Sequence, residues 1–229
     1  MSVKASSLEW VKIVKKYQKP ESWKAIWQVV NTFIPYVVLW FFMFKAYQIS
    51  YWVMLPLAII AAGLQIRLFI FQHDCGHNSF FPNKNANNIL GGLLGIITLT
   101  PYAYWRKTHA VHHATSGDLD FRGLGDVDTI TVSEYLAKDW KGKFWYRFYR
   151  HPLVMFGIGP IFVYFIRYRY PFDIPTTWTR ERNSVFRTNF GILAAVAIMW
   201  ALVGIKAFVA IYVTTIIIAI SLGVWLFYV

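Results

Sequence analysis

The chain has 229 residues, 57% hydrophobic and only 15% charged, with a mean hydropathy of +0.41. That balance excludes an ordinary soluble domain. Its 23 Lys and Arg against 11 Asp and Glu give a net charge of +12. These cations flank apolar runs instead of forming one stripe, so they read as cytoplasmic loops and contacts with anionic lipid, not as a nucleic-acid surface.

Met1 to Pro20 is polar, with Lys4, Lys12, Lys15, Lys16 and Lys19 and no apolar core, so no signal peptide is expected. Following this basic segment, a first membrane span is predicted over about Val29 to Phe44, with the N-terminus cytoplasmic. A short loop, Lys45 to Ser50, leads to a second span from Tyr51 to Phe71. Tyr51 and Trp52 suit interfacial anchors at its outer end, and Arg67 can snorkel towards the inner face. Ile89 to Tyr104 is shorter and Gly-rich. Crossing the bilayer there would put the histidines on either side of it on opposite faces, so it reads as interfacial or re-entrant. Leu153 to Ile166 has arginines at both ends (Arg147 and Arg150 before, Arg167 and Arg169 after) and contains Gly157-Ile158-Gly159-Pro160, so a bent, non-spanning helix is expected. Spans three and four are predicted at about Phe190 to Ile205 and Ala207 to Val229, joined by a turn near Lys206. The expected fold is thus an all-α integral membrane domain over residues 1–229. It has four transmembrane helices plus interfacial or re-entrant ones, and its histidine-rich metal site lies on the cytoplasmic face.

Five of the six histidines form two groups, His73-Asp74-Cys75-Gly76-His77 and His109-Ala110-Val111-His112-His113. Residues three and four apart share a helix face, so His73 and His77 are expected to point one way, as are His109, His112 and His113. Either group alone is compatible with ordinary surface or core histidines. Both groups leaving the membrane on one face, with a short connection, make a metal site. All-imidazole ligation favours iron, copper or zinc over magnesium or calcium. The HExxH pattern of zinc proteases is absent, as is the ExxH pair of ferritin-like di-iron sites. Cys75 is the only cysteine, which rules out an internal disulfide, and it reads as a small buried filler. Asp74 is either an acceptor orienting a histidine or a helix-terminal acid, and Asn78 either caps the helix or joins the site. Trp105 and Arg106 either line a substrate mouth or anchor at the interface. Asp118, Asp120, Asp126 and Asp128 read as a solvated loop paired with nearby arginines. His151, before Pro152, is expected to have no metal role.

The segments HDCGHNSFF (73–81) and WRKTHAVHHATS (105–116) resemble the first two histidine boxes of membrane fatty acid desaturases, in particular bacterial acyl-lipid desaturases of the Δ12/ω6 and Bacillus Δ5 kind. NTFIPY (31–36), GDLDFRGLGDV (117–127) and GVWLFYV (223–229) extend the likeness over nearly the whole chain. The resemblance implies two iron ions held by imidazoles, dioxygen as co-substrate, and ferredoxin or a cytochrome-type electron donor. The implied substrate is a fatty acyl lipid that gains a cis double bond, and the implied location is a bacterial inner membrane. The family also carries a third box of HxxHH form after its last span. Since that box is not in this sequence, the chain is expected to be truncated and its ligand set incomplete. Two other readings stand beside this one: a membrane hydroxylase or ketolase with the same boxes, and a non-catalytic remnant or metal-binding subunit.

Overall fold

The computed structural model describes residues 13–14, 19–121 and 127–228, with side chains to residue 226. Lys4, Lys12, Lys15, Lys16, Asp126 and Val229 lie outside the described residues. Among the described residues every regular element is helical. Four helices are long and apolar enough to cross a membrane: α1 (Ser22–Ile49), α2 (Tyr51–Gly76), and, late in the chain, Thr179–Val203 and Ile205–Tyr228. Between them lie α3 (Lys84–Ile97), α4 (Tyr102–Thr115), α5 (Val132–Ala137), α6 (Trp140–Tyr149) and α7 (Gly159–Phe165). The two late helices are accordingly α8 and α9.

The spans fall where apolar length predicts them, but the helices outrun the apolar windows because polar residues escape the insertion penalty once a helix leaves hydrocarbon. One consequence is that the predicted loop 45–50 shrinks to Ser50. Its extended backbone and hydroxyl cap α2 by accepting from the Trp52 N–H at 3.2 Å. The other turn falls close to Lys206, as expected. The break between α8 and α9 sits at Gly204, whose φ of +81° suits a residue without Cβ, and Lys206 is already helical.

Helix α2 is the hub, packing against α1, α3 and α9. Ala58, Ala61 and Ala62 are fully buried along it, and Ala58 and Ala61 share one core with Met54, Leu68 and Phe71, Met43 of α1 and Ile211 of α9. Small side chains let helix backbones approach closely, which matters where lipid is as apolar as the interface and association depends on packing.

The stretch expected to be re-entrant is two helices with a tight turn between them. Helix α3 has 14 residues, roughly 21 Å, too short for a bilayer core of about 30 Å. It stops at Thr98, and the chain turns through Leu99 at φ +56° into α4. Glycine allows this fold-back: a Cβ at Gly91 would strike the Tyr102 ring, and one at Gly95 the Thr100 carbonyl. Non-helical backbone among membrane helices needs its polar groups satisfied by protein. Gln65 Nε2 and Tyr212 Oη donate to the Ile97 carbonyl at 3.1 and 2.9 Å, and the Arg169 guanidinium donates to the Leu99 carbonyl. Thr98 Oγ1 donates to Gln72 Oε1 at 2.6 Å. Helices α2 and α9 and the 3-10 turn Arg167–Arg169 thus pin one turn.

The predicted bent helix near Leu153 has a π-helical turn at Val154–Ile158 ahead of α7, and the segment Val154–Arg169 is bent by 55° from α6.

Candidate metal centre

The first histidine group straddles the end of α2. His73 occupies the last turn and His77 is the C-cap residue. Asn78 follows at φ +54°, a left-handed conformation asparagine tolerates. Its N–H bonds to the Cys75 carbonyl and the Ser79 N–H to the Asp74 carbonyl, both at 3.0 Å. This pairing is the Schellman cap, so Asn78 ends the helix and fixes where His77 points. Cys75 is fully buried and free, the filler role expected of it.

The second group rides on α4, which is anchored along its length. Ser184 Oγ accepts from the Ala103 N–H at 3.0 Å, Tyr104 Oη donates to Asp173 at 3.3 Å, and Lys107 lies 4.0 Å from the Trp178 ring. Because α3 and α4 fold back as a hairpin, α4 returns to the end of α2. The His73 and His109 rings then come within 4.7 Å between centroids. The connection therefore keeps both groups on one face, as the re-entrant reading requires.

Four residues, His73, His77, His109 and His113, each offer a nitrogen such that all four atoms lie within 4.8 Å of one another. His109 Nε2 is 3.2 Å from His77 Nε2 and 3.0 Å from His113 Nε2. One imidazole nitrogen can share a proton with only one neighbour, so hydrogen bonding satisfies one of these pairs and leaves the other. A cation satisfies all of them: nitrogens bound at about 2.0–2.1 Å to one ion stand roughly 3.0–3.4 Å apart. The electrostatics agree. Burial first, then the neighbouring His73, His113, His77 and His112, push His109 down to about 3, and burial followed by His73 and His113 lowers His77. Both are neutral at pH 7, the form that ligates metal.

His112 stands outside this set. Its ring centroid is 5.9 Å from His109 and 5.5 Å from His113, and it lines the adjoining cavity. All three α4 histidines line that cavity, so they share one face as their three- and four-residue spacing predicts. Within that face, 109 and 113 are an i,i+4 pair and 112 stands to one side of them. Asp74 Oδ1 accepts from His73 Nδ1 at 3.1 Å. Trp105 stacks on His109, with centroids 4.5 Å apart and planes at 16°, and meets Phe69 edge-on. Arg106 does not line the cavity; its Nη1 donates to Asn88 Oδ1 of α3 at 2.9 Å. In the acidic loop, Arg150 reaches the backbone carbonyl of Asp128 at 3.0 Å, and Asp118 accepts from the Asp120 N–H.

Behind the histidines a cavity of about 630 Å³ runs down between α2 and α9. Phe69, Ile66 and Gln65 line one wall, and Ile216, Ala219, Ile220 and Gly223 the other, with Tyr164 and Thr98 joining them and Thr129 and Arg150 also in the lining. Apart from Arg150, named as a flanking cation, none of these residues is singled out by the sequence. Gln65, a fully buried amide within an apolar span, was the one legible signal.

These features define an integral membrane protein of four apolar helices with an imidazole cluster fit for a metal beside an apolar cavity. The fatty acid desaturase family model matches residues 50–229, and the chain belongs to that family. A fatty acid desaturase of Bacillus subtilis is 43% identical over 218 residues, covering 95% of this chain and 61% of the relative. The sn-1 acyl-lipid omega-3 desaturase (ferredoxin) of Synechocystis is 36% identical over 127 residues, 52% of this chain and 34% of that protein. The Helianthus annuus chloroplastic sn-2 acyl-lipid omega-3 desaturase (ferredoxin) is 33% identical over 96 residues, 42% of this chain and 21% of that protein. The chain thus spans less than two thirds of the length of these relatives. No solved structure matches it significantly.

Proposed function

We propose that this chain forms the membrane body and part of the iron centre of an acyl-lipid desaturase, which introduces a cis double bond into a lipid-borne acyl chain using dioxygen. The observation that carries the reading is the convergence of four imidazoles from two helix ends at the mouth of an apolar cavity, in a chain of this family. His73, His77, His109 and His113 are the proposed ligands, with His112 available to a second ion. Iron suits this donor set, and it supplies one-electron and dioxygen chemistry able to break a C–H bond that has no acidic proton for a base to remove. Five imidazoles are too few to fill two coordination spheres, so a dinuclear centre draws further donors from outside this set.

The other residues then have definable tasks. Asp74 holds the Nδ1–H of His73, which leaves Nε2 as the ligating atom. Trp105 fixes the His109 ring by stacking and, with Phe69, shields it from water. The α2–α9 cavity takes the acyl chain, and the hairpin turn that Gln65, Tyr212 and Arg169 pin keeps α4 in register with α2. Residues 77 to 178, the long connection between spans two and three, carry 11 of the 23 Lys and Arg, which supports a cytoplasmic histidine face. A ferredoxin-type donor, named for the Synechocystis relative, fits that basic face.

The test is expression of the gene in a host whose membrane lipids lack the product, followed by gas chromatography of fatty acid methyl esters with and without His109→Ala. A new cis-unsaturated acid that disappears in the variant supports the proposal. A hydroxylated or keto acid, or no new product with iron bound, overturns it.

A further inference from the structure

Helix α6 (Trp140–Tyr149) contributes nothing to the histidine centre, yet it has its own groove. Trp140, Phe144 and Phe148 follow one another at i, i+4 and i+8 and make one ridge. Lys143, Arg147 and His151 repeat the same spacing and make the neighbouring ridge. These six residues line one cavity of about 500 Å³. The aromatic ridge is open, with Trp140, Phe144 and Phe148 exposed by 73, 54 and 45%. Around it the charge is one-sided. Residues 138–152 contain Lys138, Lys141, Lys143, Arg147 and Arg150 but a single carboxylate, Asp139, which already caps the helix by accepting from the Gly142 N–H at 2.8 Å.

The setting says what fits. Just past His151 the chain bends by 55° into the apolar Val154–Arg169 segment, so the groove sits where the polypeptide passes from a polar, aromatic-rich helix into hydrocarbon-like sequence. Tryptophan and cationic side chains at such a boundary match the head-group level of a bilayer. We propose that the α6 groove is a binding site for the phosphate of a phospholipid head group. Lys143 and Arg147 hold the phosphodiester, and the aromatic ridge packs on the glycerol and upper acyl carbons. Protein partners also cover aromatic side chains; what favours a phospholipid is the place of the groove at the entry to apolar sequence, where a head group meets the cations and its upper acyl carbons the aromatics. The groove adjoins the histidine cavity, since Arg150, next to His151, lines that cavity. The site does not depend on the reaction at the histidines, because lipid retention is read without metal or turnover.

The experiment is native mass spectrometry of the full-length protein in detergent, titrated with phosphatidylglycerol or with diacylglycerol of the same chains. Wild type is compared with Lys143→Gln/Arg147→Gln, and thermal unfolding confirms that the variant is folded. The wild type is expected to retain phosphatidylglycerol at least tenfold more tightly than diacylglycerol. The double variant should lose one bound phospholipid, with affinity at that site down on the order of tenfold to thirtyfold. A Trp140→Ala/Phe144→Ala variant should weaken both lipids. The proposal is overturned if the Gln variant retains phosphatidylglycerol as wild type does, or if glycerol phosphate displaces it at equal concentration, which marks a free-phosphate site. It is also overturned if the Gln variant keeps its lipid but no longer binds an acidic redox protein, which marks a protein-docking face.

Discussion

His77 and His109 are 32 positions apart, yet their Nε2 atoms lie 3.2 Å from each other, with His113 Nε2 3.0 Å from the same His109 nitrogen. His109 is therefore the centre of the cluster, and its loss should be the most damaging. His109→Ala should lower bound iron by at least half and abolish unsaturation, whereas His112→Ala, outside the tight set, should retain more metal than any of the other four single variants. Metal analysis of the purified proteins by plasma mass spectrometry checks both.

Asp74 acts on the cluster through His73. Asp74→Asn keeps the size and removes the carboxylate that orients the imidazole. Metal affinity is expected to fall about 10–100-fold, the usual range for loss of a carboxylate that orients a ligating histidine. Competition with a chelator of known affinity measures it. An unchanged constant would assign Asp74 to helix ending alone.

The α3–α4 turn is tested at Arg169 and Gln65. Arg169→Met leaves the Leu99 carbonyl and Asn189 without the guanidinium, and Gln65→Leu removes one of the two donors to the Ile97 carbonyl. Each should destabilise the protein by about 1–3 kcal/mol, the penalty for stranding a buried polar group. After Gln65→Leu, Tyr212 still serves Ile97, but the buried Tyr36 hydroxyl loses its acceptor, Gln65 Oε1 at 3.2 Å. Denaturant titration in detergent gives the difference.

Gly223 faces Ile66 across the cavity, and a Cβ there would meet the Ile66 side chain only at 3.9 Å, so a larger residue extends into open space. Gly223→Phe should fit without unfolding the protein, leave metal content unchanged and reduce unsaturation of long acyl chains at least tenfold. Fatty acid profiles beside metal analysis separate a blocked cavity from a lost centre.

Much of this was legible before any coordinates. The four spans follow from apolar length, and the pairs His73/His77 and His109/His113 follow from the four-residue repeat of a helix. The same periodicity places His112 on the shared face, where it lines the cavity, but does not say which three or four nitrogens converge, because residues 109, 112 and 113 spread over an arc of about 100°. Trp105, read as lining a mouth or anchoring at the interface, lines the cavity and also stacks on His109, a contact that spacing does not reveal. Arg106, next to it, is turned to Asn88. Sequence spacing alone does not distinguish neighbours that point in different directions.

Sequence by itself determined the class of protein, the location of the apolar helices and the identity of the proposed ligands, since these depend on composition and on repeats within single helices. The tertiary structure decided that the two histidine helices meet, that α3 turns back at Thr98–Pro101, and that an apolar cavity opens behind the cluster. Those outcomes rest on packing across the α3–α4 turn and on contacts between residues far apart in the chain. Gly91 and Gly95 admit Tyr102 and Thr100, and Gln65, Arg169 and Tyr212 satisfy one turn's carbonyls. Each contact forms only once separate helices have packed, so no local pattern encodes it.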